Sequence, residues 1–386
     1  MQLIRPESAD ALAQVLRDAS EARQTILLRG AGSKDAMGGP LAVADLDVRL
    51  DKLSGVLQYE PRDLTISVAA GTPWHELTSI LAGEGQMLPL DPPCAATATV
   101  GGIVASNCSG PRRRLFGTAR DVVIGMTLAT LDGNVLKAGG MVVKNVAGLD
   151  TQKTIIGSFG TLAAMAAVNF RVAPAPEASR TFLLVCRTAE ECAAARDRVL
   201  TGVLRPAAVD ALNPAAARFC GLDAHGLDGF VLAVHAGGSE SVLARYAKEL
   251  AGANVLEGGA ESNFWRAVQE FAPAWVDAVP ERAVVRVAHP MSALAQVLSS
   301  TSGPCVARAG NGVSYLAFEG VPELRAWIEE TSAQEWTRVV EWSGAEVRGA
   351  VELWPSPGSD FTLMERLKLL FDPQRLLNPG RLYGRL

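Results

Sequence analysis

Apolar residues at Leu12, Val15, Leu16 and Ala19 recur with the spacing of one helix face, and Ser8 stands where an N-cap would. The short run Thr25–Leu28 predicts a buried strand. Leu64-Thr65-Ile66-Ser67-Val68 alternates apolar and polar, which predicts a half-buried strand. Gly71-Thr72-Pro73 predicts a helix start, with Thr72 as cap, Pro73 in the first position and an end near Gly83 to Gly85. Met126–Leu131 and Asn134–Lys137 flank Asp132-Gly133, the pattern of a hairpin. Leu162–Val168 is a core-like run of small and apolar residues.

Pro174-Ala175-Pro176 then marks a boundary. Beyond it the pattern predicts strands at Thr181–Cys186, Phe230–His235, Ala283–Ala288, Cys305–Ala307 and Val313–Phe318. Helices are expected at Glu190–Leu200, Glu240–Leu250, Ser262–Phe271, Ser292–Ser299 and Pro322–Glu330. Such β-α-β-β-α runs suit antiparallel strands with helices on one face, a ferredoxin-like cap. The fold class is therefore α+β with short strands, not the regular alternation of a doubly wound sheet. No fixed-period repeat and no low-complexity tract is visible.

Composition narrows the class. The chain has 386 residues, enough for two domains, with 48% hydrophobic and 20% charged residues, as in a globular protein. A net charge of −5 gives no reason to expect nucleic acid or an anionic membrane as partner. No apolar run approaches the roughly 18 residues of a membrane span, and MQLIRPESAD shows no secretory pattern. Six cysteines without a C-x-x-C pair argue against an intrinsic iron–sulfur cluster and suit a reducing cytoplasm. The four histidines have no metal-ligand spacing, so no metal is expected. No G-x-S-x-G elbow exists, which removes the hydrolase reading.

Four glycine-bearing segments carry the candidate chemistry. Arg29–Lys34, RGAGSK, follows the first strand, and its successive N–H groups can form an anion-binding nest. It is neither a Walker A loop nor a G-x-G-x-x-G fingerprint, because position 35 is Asp35. Met87–Gly110, MLPLDPPCAATATVGGIVASNCSG, leads into a small-residue helix beginning near Thr99, whose free N–H groups would point at a phosphorylated ligand. A tight turn packed against a sheet would give the same pattern. Gly139–Leu162 places Lys144 and Asn145 just before a loop, where Lys144 sits by a ligand or simply projects from a strand end. Phe371–Leu382 closes with the turn Asn378-Pro379-Gly380. Loops spread so widely suggest one extended ligand touched in many places.

RGAGSK, LDPPCAATATVGGIVASNCSG, RLFGTARDVVIGMTLATLDGNVLKAGG, KNVAGLDTQKTIIGSFGTL and NPGRL occur in the order found in the FAD-linked oxidases of the vanillyl-alcohol-oxidase type, also called PCMH-type. The chain resembles the D-lactate dehydrogenase and glycolate oxidase branch, and within it the E-type FAD-binding subunit of glycolate oxidase. The resemblance implies a two-subdomain FAD-binding domain over 1–175, a cap over 176–360 and a C-terminal segment, 361–386, returning to the first domain. It implies non-covalent FAD held by Gly30, Ala31, Gly32, Ser33 and Lys34; by Leu90 and Asp91; by Thr99, Val100, Gly101, Gly102, Ala105, Ser106 and Gly110; and by Lys144, Gly148 and Gly160.

The chain departs from the self-sufficient relatives, which have an acidic residue at Phe159 and an H-x-G-D-G-N-x-H segment in the cap. Here the corresponding stretch is Arg308–Tyr315, RAGNGVSY, with Arg308 and Ser314 at positions resembling the two histidines and Asn311 in place of Asp. Arg308 and Asn311 are candidate substrate-side residues, since an arginine fork can bind a carboxylate. No catalytic residue is assigned. The resemblance implies a multi-subunit glycolate or 2-hydroxy acid oxidase, with a sister FAD-linked subunit and an iron–sulfur subunit, in the cytoplasm or at the inner face of the membrane through those partners. A self-sufficient D-2-hydroxy acid dehydrogenase and a structural flavoprotein subunit are the alternatives. Trp327, Trp336, Trp342 and Trp354 suit either a partner surface or packing within the cap.

Overall fold

A computed structural model describes the chain except residues 142–149 and 278. Lys144 and Gly148 therefore lie outside the described residues. The chain divides into two compact units. The first comprises Met1–Ser109, Gly117–Ala175 and Ser356–Leu386; the second comprises Gly110–Phe116 and Pro176–Pro355. Residues 110–116, placed by sequence in the first domain, belong to the second unit, and 356–360 belong to the first.

The first helix of the first unit, Ala9–Glu21, is capped by Ser8, whose Oγ accepts from the Ala11 N–H at 3.0 Å. Its apolar face buries Leu12, Ala13, Leu16 and Ala19. Strands β1 (Gln2–Ile4), β2 (Ile26–Arg29) and β3 (Leu46–Arg49) form a parallel sheet in the order β1-β3-β2. The free edge of β2 takes up the C-terminal segment: the Ile26 N–H donates to Leu376 O at 2.8 Å and the Asn378 N–H to Ile26 O at 2.9 Å.

Strands β4 (Val56–Glu60), β5 (Thr65–Ala69), β6 (Gln86–Met87), β7 (Val123–Ala129), β8 (Val135–Gly139), β9 (Ala164–Arg171) and β10 (Ala173–Pro174) follow. Five of them form an antiparallel sheet in the order β4-β5-β9-β7-β8, and β6 pairs with β10. Every residue of β5 is buried, not every second one as the alternation predicts. The sheet is covered on both faces. Ile66, Val68 and Phe170 pack with Trp74, Leu77 and Ile103, while Ala129, Ala164 and Ala166 pack with Leu12, Leu16 and Val48. Thr72 is not the helix cap expected of it. Its hydroxyl donates to Ala69 O at 2.6 Å, and the helix runs Trp74–Gly83 with Pro73 at the cap position.

The second unit contains β11 (Ala178–Cys186), β12 (Ala208–Leu212), β13 (Phe230–Gly238), β14 (Asn254–Leu256), β15 (Ala283–Ala288), β16 (Cys305–Arg308), β17 (Val313–Phe318) and β18 (Thr337–Ser343). They form one antiparallel sheet in the order β14-β11-β13-β12-β16-β17-β15-β18. Each half of that sheet is a complete β-α-β-β-α-β module. The helices Ala189–Thr201 and Glu240–Glu249 serve the first module, and Leu294–Leu298 and Val321–Glu330 the second. The cap is thus two ferredoxin-like modules joined edge to edge at β12 and β16, where Ala211 faces Ala307 and Leu212 faces Val306. Sequence inspection finds no repeat because the modules span unequal stretches, 178–256 and 283–343. One core runs through both, from Phe182, Leu232 and Leu243 to Val285, Phe318 and Trp327. Among the described residues no helix is long and apolar enough to cross a membrane.

Candidate functional site

The turn after β2 sets the site. Gly32 has φ +78°, a left-handed conformation that glycine adopts without cost. A Cβ on Gly30 would lie 2.1 Å from Thr99 Oγ1, so only glycine permits this approach. The backbone N–H groups of Gly30, Ala31, Gly32 and Ser33 donate to no acceptor among the described residues. Four consecutive amides with no protein acceptor among the described residues are donors available to an anion. Charged neighbours brace the turn, and two of them also line the cleft: Arg29 pairs with Asp35 at 2.9 Å and with Asp47 at 3.0 Å. Burial works to raise the Asp47 carboxyl, but hydrogen bonds from Arg29 and Arg49 outweigh it and hold its pKa below the ordinary value. Lys34 Nζ donates to Pro93 O.

This turn opens on a cleft with about 770 Å³ of space counted out to its open mouth. Of the residues singled out by sequence, Gly30, Ala31, Gly32, Ser33, Lys34, Thr99, Gly101, Gly102, Ala105, Ser106 and Gly160 line it. Leu90 and Val100 do not; both are buried in the apolar core. Asp91 is half-buried outside the lining, and Gly110 belongs to the second unit. The apolar wall comes from Leu27, Leu28, Ala70, Ala163 and Met165.

The helix after Thr99 departs from expectation. It runs Val100–Ser106, and its first N–H groups are already used. Val100 donates to Thr72 O at 2.9 Å, Gly101 to Ala70 O at 2.7 Å, and Gly102 to Thr99 Oγ1 at 3.3 Å. The helix end is therefore a packed wall, not a phosphate cradle. A Cβ on Gly101 would lie 2.9 Å from Ala70 Cβ, so this glycine permits close contact with the residue that follows β5.

Sequence reasoning missed the apolar wall and, among the other lining residues, Arg29, Asp35, Phe159, Asn378 and Arg381. Asn378 Oδ1 accepts from the Leu28 N–H at 2.7 Å, and its Nδ2 donates to Leu28 O at 3.0 Å and Phe159 O at 2.7 Å. Arg381 donates to Gly39 O and, at 3.0 Å, to Lys34 O. The closing NPGRL was the signal for Asn378 and Arg381, but their contacts with Leu28 and Lys34 cross more than 300 residues of chain.

In the second unit Arg308 is buried, and Nη1 forms an ion pair with Asp210 across the β12–β16 junction. Its guanidinium carbon lies 5.3 Å from the Tyr315 ring centroid. The charge proposed for a substrate carboxylate is thus committed to a buried carboxylate within the sheet. Asn311 sits in the turn between β16 and β17, its N–H donating to Arg308 O at 2.9 Å. Counted from Arg308, the eighth position of the histidine pattern is Tyr315, not Ser314. Ser314 is fully buried, with Oγ 2.8 Å from His289 Nε2. His289 Nδ1 lies 2.9 Å from Pro290 O, which can only accept, so Nδ1 carries the proton and Nε2 accepts from Ser314. Burial lowers the His289 pKa, favouring this neutral ring. Trp327, Trp336 and Trp342 are buried in the cap.

Residues 2–139 match the family model of the FAD binding domain, and residues 357–382 match the C-terminal domain of FAD linked oxidases. The chain therefore carries an FAD binding domain and the C-terminal domain found in FAD linked oxidases, and FAD is its cofactor. It is 37% identical over 172 residues to the glycolate oxidase subunit GlcE of Escherichia coli K12, covering 44% of this chain and 49% of that one. It is 26% identical over 211 residues to the glycolate oxidase subunit GlcD of Bacillus subtilis 168, covering 55% and 45%. A D-lactate dehydrogenase of Anaerostipes hadrus is 27% identical over 209 residues, covering 54% and 44%. The chain thus spans about half the length of these relatives. The fold matches 4-ethylphenol oxidase of Gulosibacter chungangensis with a TM-score of 0.74 at 14% identity, over 99% of this chain and 89% of that one. An alkyldihydroxyacetonephosphate synthase matches with a TM-score of 0.73 at 16% identity, over 98% and 75%.

Proposed function

We propose that this chain is the FAD-binding subunit of a multi-subunit oxidase of glycolate or a related 2-hydroxy acid. It works with a sister FAD-linked subunit and an iron–sulfur subunit. The residues fit FAD on two counts. Four free amides at Gly30–Ser33 would hold the diphosphate, and the Leu28, Ala163 and Met165 wall would shelter apolar ring surface. Among the described residues the cleft is lined by neither histidine nor cysteine, which supports non-covalent binding. Bound FAD supplies a two-electron acceptor; the chain supplies position and electrostatics.

The observation that carries the subunit reading is the buried pair Arg308–Asp210. It removes from the cap the fork that would hold a substrate carboxylate, and Ser314 is likewise committed to His289. The resemblance to GlcE supports the same reading. The six cysteines contain no C-x-x-C pair, so the iron–sulfur centre is assigned to another subunit. We place the complex in the cytoplasm or at the inner membrane face, through the partners.

The test is turnover of glycolate and D-lactate with an artificial electron acceptor, by the chain alone and mixed with candidate sister and iron–sulfur subunits. Activity should appear only in the mixture and be lost when this chain's glycine turn is altered. Equal turnover without partners would establish a self-sufficient dehydrogenase instead. Absence of bound flavin would leave a structural subunit.

A further inference from the structure

Phe159 is a half-buried aromatic residue at φ +54°, a left-handed conformation that disfavours any side chain. Gly157 and Gly160 beside it also have positive φ, yet position 159 carries a full ring. The surroundings hold it there. Its N–H donates to Ala105 O at 2.8 Å, and its carbonyl accepts from Asn378 Nδ2 at 2.7 Å. Strain that is held in place this firmly at a ligand cleft points to a role for the side chain.

The ring forms part of the cleft wall and lies 5.5 Å from the guanidinium carbon of Arg381. That guanidinium is itself buried and donates to the carbonyls of Lys34 and Gly39, just after the glycine turn. The Gly39 N–H returns a bond to Arg381 O at 3.1 Å. The loop is therefore gripped by its carbonyls, while the amides of Gly30–Ser33 make no bond among the described residues. A planar fork does this better than a lysine, because one head group reaches two acceptors and still stacks on a ring.

We propose that Phe159 and Arg381 are positioning residues for FAD. The ring seats the guanidinium, the guanidinium holds the loop by its carbonyls, and the turn's amides are aimed before the cofactor arrives. This rests on the reading of the cleft as the FAD site. Preorganisation of this kind raises affinity by lowering the ordering cost of binding.

The experiment uses the full-length apo chain, titrated with FAD by flavin fluorescence and melted without FAD. Phe159→Leu and Phe159→Tyr carry the same backbone strain, but only tyrosine keeps the ring. Tyrosine should bind FAD like the parent, whereas leucine should weaken binding by about tenfold or more. Phe159→Gly, which relieves the strain, should melt no lower than Phe159→Leu and still bind weakly. Arg381→Lys should lose affinity similarly. Equal FAD affinity for the leucine and tyrosine variants would overturn the proposal. So would affinity losses that simply track the apo melting temperatures. Ala105→Leu, a helix-compatible change that fills the cleft, separates the two readings. If Ala105→Leu binds FAD normally, the cleft assignment itself fails. If it loses FAD while Phe159→Leu does not, only the positioning role fails.

Discussion

Replacing Arg308 by methionine should destabilise the cap without acting as a substrate-site mutation. Arg308 is 7% exposed and Asp210 is 1% exposed, so the variant strands a buried carboxylate. Breaking such a pair from one side costs roughly 3–5 kcal/mol. For a unit of this size that corresponds to roughly 6–20 °C of Tm. The double variant Arg308→Met with Asp210→Leu removes both charges and should recover most of the loss, because apolar pairs commonly replace buried ion pairs at little cost. The assay is thermal and urea unfolding followed by tryptophan fluorescence, since every tryptophan except Trp74 lies in the second unit. A parent-like melt for Arg308→Met, together with a raised KM for 2-hydroxy acid in the assembled complex, would refute the reasoning. Arg308 would then be a substrate group.

Other expectations follow from the first unit and from the His289 pair. Gly101→Ala places Cβ against Ala70 and should cost roughly 1–3 kcal/mol in urea unfolding, whereas Gly83→Ala, which meets nothing within 4 Å, should be neutral or slightly stabilising. Asn378→Ala leaves the Leu28 N–H and two carbonyls without their partner and should cost on the order of 3 kcal/mol, lowering FAD affinity as well; unchanged melting and binding would show that the C-terminal segment does not brace the cleft. His289 has a folded pKa held below its unfolded value of about 6.5 by burial. The unfolded chain then binds more protons, so this residue's contribution is full above that pH and is lost as pH falls toward the folded pKa. Unfolding titrations of the parent and His289→Gln should differ by that slope; identical slopes would remove the assignment.

Much of the first unit could be read from local chemistry. Ser8 caps its helix, and Asp132-Gly133 joins β7 to β8. The turn at Gly30–Lys34 lines the cleft because glycine's backbone freedom is a property of the residue itself. Local signals misled where a group had a choice of partner. Thr72 spends its hydroxyl on Ala69 O, and the N–H groups after Thr99 spend themselves on Thr72 O and Ala70 O. Nothing in the nearby sequence distinguishes those outcomes from a free cap or a free anion site.

The sequence by itself determined the class, because five glycine-bearing segments in a fixed order are a pattern carried by residue identity alone. Tertiary structure alone decided which amides stay free, which arginine is spent, and which residues grip the loop. Arg308 meets Asp210 only because the register of β12 and β16 brings together residues 98 apart. Asn378 reaches Leu28 across 350 residues, and Arg381 reaches Lys34 across 347. A hydrogen-bonding group satisfies whichever partner lies within about 3 Å, and only the folded chain determines that distance.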